Sequence, residues 1–267
     1  MGTDTIFAGS IPAIYDQYMV PLLFRPYAKI LAERAQVLHS KRILETAAGT
    51  GILTEALHGA LPKSEIVATD LNLPMLKRAA QRLDAPNVRF EFADALALPF
   101  DDATFDLVAC QFGVMFFPDK VKGHGEAARV LRTGGSYLIA IWNSIDRNLA
   151  TRVAGRAVAD LFPEHAAAFY ERIPFRYFDT SVIEDDLRAA GFNDVNVETI
   201  ELISRAPSAR DAAIGLTQGT PMRSEIEKSG PDALATAADA AEVALRQFEG
   251  PNGFEAPMSA HIVTATK

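Results

Sequence analysis

Cysteine is nearly missing from this chain. Cys110 stands alone, so no intrachain disulfide can form, and its apolar neighbours Leu107, Val108 and Ala109 mark it as a buried strand thiol without a catalytic duty. Basic residues are the minority, with 26 Lys plus Arg against 34 Asp plus Glu and a net charge of −8. No Lys/Arg run marks a local basic patch, which argues against a nucleic-acid partner and against docking on anionic lipid. Every apolar run falls short of the ~20 residues that span a bilayer. Residues 1–10 lack the basic cluster and apolar core of a secretory signal. The expectation is a cytoplasmic protein with no membrane span.

What is present is apolar and alternating. With 267 residues, 49% of them hydrophobic, the chain is long for one minimal domain and short for two. It reads as a single domain enlarged by insertions. Pro12, Pro21 and Pro26 are expected to break residues 11–40 into short helices. Strands and helices then alternate: strand Arg42–Glu45, helix Ile52–Ala60, strand Glu65–Asp70, and a helix over 74–83 with Pro74 in its first turn. Strands over 88–93 and Phe105–Gln111 follow, then a helix over 119–131 and, after Gly134 and Gly135, a strand over 136–142. This order implies an α/β fold, a parallel sheet with helices on both faces.

The second half breaks the pattern. Residues 144–180 hold no clear strand, and residues 207–249 are Ala-rich and helical, interrupted at 219–221 and at Gly230 and Pro231. Between them lie a helix over 182–190, capped by Gly191, and a strand over 195–203; a strand over 260–266 closes the chain. The organisation is therefore N-terminal helices (1–40), a core (41–143), two insertions (144–180 and 207–249) and the remainder of the sheet (181–206 and 250–267).

Four polar residues end consecutive apolar runs: Glu45, Asp70, Asp94 and Gln111, spaced 25, 24 and 17 residues apart. In a doubly wound sheet those ends converge on one crevice, where ligands bind. After Glu45 comes a turn of small residues, Thr46-Ala47-Ala48-Gly49-Thr50-Gly51, and then a helix start. Such a turn lets a ligand approach the backbone and meet free N–H groups. A carboxylate at position 70 can accept from both hydroxyls of a ribose. Either a dinucleotide or S-adenosylmethionine meets these requirements. A dinucleotide fingerprint places a third glycine at position 54, where Thr54 stands, and it leaves Asp94 and Gln111 without a duty.

The segments LETAAGTG (44–51), ATDL (68–71), ADA (93–95), LPFDDATFDLV (98–108), QFG (111–113) and RVLRTGG (129–135) occur in order and at matching spacing. In these the chain resembles the class I S-adenosylmethionine-dependent methyltransferases, within the branch of small-molecule enzymes that includes the ubiquinone/menaquinone methyltransferases. The resemblance implies a Rossmann-like doubly wound sheet of seven strands, the seventh antiparallel, with the two insertions as a helical lid. It implies that Glu45 faces the methionine amino group and that Asp70 holds the ribose. Gly49 and Gly51 would let the cofactor pass close to the backbone. Leu71 and Met75 would pack on adenine, and the Asp94 carboxylate and Ala95 N–H would read its edge. Tyr15, Ala47, Thr50, Gln111 and Phe112 complete the expected cofactor set. Two residues depart from the pattern: Ala47 replaces the first glycine of the turn, and Thr133 stands where proline is common.

Methyl transfer from a sulfonium is an in-line displacement, in which alignment and water exclusion can supply ~7 kcal/mol or more. No nucleophilic triad is expected and no general base is assigned. The Asn/Asp-Pro-Pro-Tyr motif for planar amide or adenine nitrogens is absent, and no Cys/His cluster has zinc spacing, so no metal is expected. The apolar stretch 112–117 with Met115, together with Tyr18, Trp142 and His165, points to a pocket for a small apolar or aromatic acceptor. Apolar residues of the insertions (Leu161, Phe162, Phe169, Tyr170, Ile214, Leu216, Met222 and Phe248) are expected to cover cofactor and acceptor. The alternatives are that they pack on each other or form a homodimer contact. Macromolecular methylation, a non-catalytic S-adenosylmethionine-binding subunit and a dinucleotide-dependent oxidoreductase stay open as other readings.

Overall fold

Apolar runs bounded by charged or turn residues become the strands of one sheet. They are Arg42–Glu45 (β1), Glu65–Asp70 (β2), Val88–Phe92 (β3), Phe105–Gln111 (β4), Leu131–Trp142 (β5), Asp194–Ala206 (β6), Glu249–Gly250 (β7) and Gly253–Thr266 (β8). The computed structural model describes Phe7, residues 9–163 and residues 169–267. Helices in chain order are Ile11–Ile14 (α1), Arg25–Val37 (α2), Ile52–Ala60 (α3), Leu73–Arg82 (α4), Lys120–Val130 (α5) and Leu149–Leu161 (α6). Phe169–Arg172 (α7), Thr180–Ala189 (α8), Ala209–Gln218 (α9), Met222–Ile226 (α10) and Ala233–Leu245 (α11) follow. Among the described residues, no helix is long and apolar enough to cross a membrane.

The chain divides into two units. The sheet unit comprises Tyr27–Trp142, Tyr177–Ile200 and Ala260–Lys267. Strand order is β3-β2-β1-β4-β5-β8-β6, with the two-residue β7 pairing β8 off this path. Strands β1 to β5 pair in parallel, and β8 runs antiparallel to β5, as the α/β expectation required. In β4 every residue but Asp106 and Gln111 is buried, the continuous burial of a strand covered on both faces. α4 buries Met75, Leu76 and Ala79 along one side, with Pro74 in its first turn. α8 ends at Gly191 with φ 98°, where Phe192 N–H bonds Leu187 O and Gly191 N–H bonds Arg188 O, closing the helix as expected.

The helical unit comprises the chain up to Pro26, Asn143–Arg176 and Glu201–Ser259, so α1, the segment Tyr15–Phe24 and nearly all of both insertions belong together, while α2 from Tyr27 on belongs to the sheet unit. Its Ala-rich sequence is a packing device. Ala212, Ala213, Ala237, Ala238 and Ala241 are fully buried on α9 and α11, where small side chains let helices approach closely. A Cβ on Gly215 would lie 3.1 Å from Tyr18 Cβ, and one on Gly219 would lie 2.8 Å from Met19 Cγ. The bare side of α9 therefore seats the segment Tyr15–Phe24.

Three expectations are corrected. Residues 11–37 are not broken by their prolines: Pro12 sits in a first turn, where no N–H partner is needed, and the helix runs on through Pro26. Pro21 lies within Tyr15–Phe24, a π-helix joining α1 to α2. β5 begins at Leu131, not at 136: Gly134 and Gly135 belong to the strand, whose register with β4 shifts between Phe105 and Leu107. β8 starts seven residues before position 260, because Pro257 and Gly253 hide an alternating run.

Candidate functional site

β1 ends at Glu45, which pairs with Ala68 of β2 and Ala109 of β4. Its side chain is 1% exposed, and its Oε2 accepts a 2.6 Å hydrogen bond from the Thr54 hydroxyl. Among the described residues it has no ion pair. Burial, aided by the nearby Asp70 charge, pushes its pKa up to about 8. A buried carboxyl facing a like charge favours a cationic ligand.

The turn that follows is pinned from both flanking strands. Thr46 N–H bonds Ala109 O and Ala48 N–H bonds Thr69 O, both at 2.9 Å. Ala47 (φ 54°), Gly49 (φ 57°) and Gly51 (φ 80°) all take left-handed backbone. The two glycines differ in their surroundings. A Cβ on Gly49 would touch Met75 Cε at an ordinary 3.7 Å. A Cβ on Gly51 would lie 2.9 Å from Ala79 Cβ of α4. Helix packing, besides the left-handed backbone, therefore calls for glycine at 51. Thr50 is buried, and its carbonyl accepts from Arg82 Nε at 2.9 Å.

Asp70 ends β2 at 7% exposure. Its Oδ2 accepts the Gly49 N–H at 2.8 Å and its Oδ1 the Asn72 N–H at 2.7 Å, so this carboxylate clamps the turn to the start of α4. Burial raises its pKa above the ordinary value, against the pull of those N–H donors. A carboxylate has further lone pairs, and two hydroxyls can still be accommodated. Leu71 is half-buried, and Met75 lies beneath Gly49. After β3, Asp94 Oδ1 accepts the Leu96 N–H at 2.9 Å in a tight turn that leaves Asp94 and Ala95 half-buried. Arg129 anchors the loop beyond by donating to the carbonyls of Leu98 (2.9 Å) and Phe100 (2.7 Å). Neither Arg82 nor Arg129 had a role in the sequence reading; Arg129 lay in a quoted motif, and nothing signalled Arg82.

Gln111 ends β4 half-buried. Phe112 follows with φ 55° and stacks on Trp142 at 3.7 Å, with Tyr27 edge-on to both rings at 5.3 and 5.6 Å. Trp142 is 4% exposed. The structure therefore places Phe112 and Trp142 in an aromatic core cluster. Met115 is buried in the turn Val114–Phe116, whose carbonyl accepts from Lys120 Nζ at 3.1 Å. The sheet unit thus brings together the twelve expected cofactor residues from Glu45 to Phe112 at the carboxyl ends of β1 to β4. Tyr15 and Tyr18 lie in the helical unit, where Tyr15 stacks on Phe24 at 4.9 Å. His165 lies outside the described residues. Of the insertion residues, Phe169, Tyr170, Leu216 and Met222 are buried, and the Tyr170 hydroxyl bonds Leu216 O at 2.5 Å.

His124 is wholly buried, as packing predicts. Its Nε2 lies 3.3 Å from the Tyr177 hydroxyl, which donates to Asp186 Oδ2 at 2.8 Å. Nε2 must then carry the proton, leaving Nδ1 bare and without a hydrogen-bond partner among the described residues. Burial, with Lys120 nearby, lowers its pKa to about 4.

Comparison with known proteins now adds to the geometry. A methyltransferase-domain family model matches residues 43–135. A demethylmenaquinone methyltransferase of Thermus thermophilus is 46% identical over 101 residues, 37% of this chain and 46% of that protein. A ubiquinone/menaquinone biosynthesis C-methyltransferase of Stutzerimonas stutzeri is 30% identical over 204 residues, covering 70% of this chain and 80% of that one. The chain belongs to the S-adenosylmethionine-dependent methyltransferases. With membership come the fold, the transferase class and S-adenosylmethionine as the family's cofactor. The chain spans about half the length of the first curated relatives it matches. Among solved structures, the YcgJ protein of Bacillus subtilis aligns with a TM-score of 0.58 at 19% identity, covering 91% of this chain and 98% of that one, which shows the shared fold. The residues present fit the cofactor: a buried carboxyl at Glu45, and at Asp70 a carboxylate with lone pairs left for hydroxyls beyond the Gly49 and Asn72 N–H groups it already accepts.

Proposed function

We propose that this protein catalyses methyl transfer from S-adenosylmethionine to a small acceptor of apolar or aromatic character. The observation that carries the reading is the turn after β1, which follows the buried carboxyl of Glu45 and whose Gly49 N–H is held by the Asp70 carboxylate. S-adenosylmethionine supplies an electrophilic methyl on a sulfonium. The chain's own residues bind and orient. Glu45 offers the charge for an ammonium and Asp70 the acceptors for a ribose diol, while Leu71 and Met75 give an apolar face and Asp94 with the Ala95 N–H reads a base edge. Catalysis by position and water exclusion asks no more of the side chains, and no base is assigned. His124 is unsuited to that role, since it is buried and held neutral by its surroundings.

Acceptor choice we assign to the helical unit, with Tyr18 its first candidate. Relatives named as demethylmenaquinone methyltransferases make a hydroxylated naphthalene ring the first acceptor to try. The test has two arms. Calorimetric titration should give heat with S-adenosylhomocysteine and none with NAD; the reverse result would sink the reading. Methyl incorporation from labelled S-adenosylmethionine should appear with naphthol-type acceptors and be absent with RNA or protein substrates.

A further inference from the structure

Ala47 stands where the glycine turn ordinarily has its first glycine, and the structure shows what accommodates its methyl. A Cβ built on Gly113 would fall 2.4 Å from Ala47 Cβ and 2.7 Å from Cys110 Sγ, closer than such atoms come in proteins. Gly113 has φ −101° and ψ −38°, right-handed backbone open to any residue. Its lack of a side chain is therefore a matter of contact and not of conformation. Neither side can give way cheaply. The Ala47 backbone is held by the bonds of Thr46 to Ala109 and of Ala48 to Thr69. Gly113 follows Phe112, whose ring is stacked on Trp142 and whose N–H bonds Ala140 O at 2.9 Å.

We infer that Gly113 is a positioning residue for the cofactor turn: its bare Cα seats the Ala47 methyl, and the two positions form a matched pair joining the β1 turn to the β4 exit. The inference rests on the reading that this turn meets S-adenosylmethionine. It makes the exit of β4, 66 residues away in sequence, set the lie of the turn. Room for a larger residue at 113 requires both glycine at 47 and a smaller residue than cysteine at 110, and this chain has neither.

The test is made in a Cys110→Ala background, which removes the thiol so that an added methyl at 113 meets Ala47 alone. Binding of S-adenosylhomocysteine is measured by calorimetry and folding by the thermal midpoint, for C110A, C110A/A47G, C110A/G113A and C110A/A47G/G113A. G113A should weaken binding by about tenfold or more relative to C110A, and adding A47G should recover it to within about threefold. A change at 113 that acts through any contact other than Ala47 would not be rescued by a second substitution at 47, and affinity that falls and recovers beyond the shift in midpoint separates positioning of the turn from lost stability. Equal affinity of C110A and C110A/G113A, or a folded triple variant that stays weak, overturns the pairing. If C110A and the natural chain both fail to bind S-adenosylhomocysteine, the cofactor reading falls separately. The midpoints still decide the contact: non-additive losses keep it, and additive ones remove it.

Discussion

Replacing Glu45 by Gln should change how stability depends on pH, by an amount that the burial of this one carboxyl sets. In the unfolded chain Glu45 ionises near the ordinary 4.5; in the folded protein, burial and Asp70 push it up to about 8. Between those values the native state holds a proton that the unfolded state has released. Stability therefore falls as pH rises, by up to about 1.4 kcal/mol per unit, and the full loss of about 5 kcal/mol is reached above the folded pKa. Below the unfolded pKa both states are protonated and the penalty is absent. Glutamine keeps the size and can still accept the Thr54 hydroxyl, but it carries no charge at any pH. Urea unfolding should thus give nearly equal stabilities for wild type and E45Q at about pH 5, and a variant several kcal/mol more stable at about pH 9. Parallel curves across that range would refute the reasoning.

The same carboxyl makes a second, sharper statement. If Glu45 meets an ammonium, as proposed, ligand binding draws the proton off. Calorimetry of S-adenosylhomocysteine in two buffers of different ionisation enthalpy should then show release of close to one proton at neutral pH in the wild type and none in E45Q. Stability data and proton counts fail independently: the first tests the buried carboxyl, the second tests what it faces.

The two glycines of the turn should separate by assay: Gly49→Val loses S-adenosylhomocysteine affinity about a hundredfold or more with its circular dichroism retained, while Gly51→Ala, forced against Ala79, loses about 1–3 kcal/mol of stability in urea unfolding. Arg82→Met frees the Thr50 carbonyl and the Glu55 contact, and should raise the Kd for S-adenosylhomocysteine several-fold with little change in the far-ultraviolet spectrum. His124, neutral when folded with a pKa near 4 against 6.5 when unfolded, should cost stability as pH falls through that window. H124Q should lack about 3 kcal/mol of the wild type's acid loss when the two unfolding curves are subtracted.

Much of the sheet was legible because its strands are continuous apolar runs between charged or turn residues. The bounds read for β1, β2, α3 and β4 coincide with those observed. Reading failed where a local rule met a tertiary exception. Pro12, Pro21 and Pro26 look like helix breaks, yet each sits where its missing N–H is tolerated. Pro257 and the Gly134 and Gly135 pair look like boundaries, yet they lie inside long strands. The residue types at the site were visible too, since four polar residues that each follow an apolar run need no coordinates to be noticed.

What periodicity does not report is the partner that occupies a given space. Gly49 and Gly51 are identical letters two positions apart. Only coordinates show that a Cβ on the first would rest on Met75 at an ordinary distance and that one on the second would press on Ala79. Trp142 ends its strand as a pocket residue would, and only coordinates show it packed between the rings of Tyr27 and Phe112. Arg82 and Arg129 act on carbonyl oxygens, which every residue has, so no sequence pattern can mark them. The same holds for the pair at 47 and 113. Each is an ordinary small residue, and the information lies in a distance between them. A turn that binds a cofactor is thus specified twice: by its own letters, which can be read, and by the residues that hold it from behind, which cannot. Substitutions in the second set should therefore move affinity too, though by less than those in the first, and the Arg82 and Gly113 variants are where that expectation can fail.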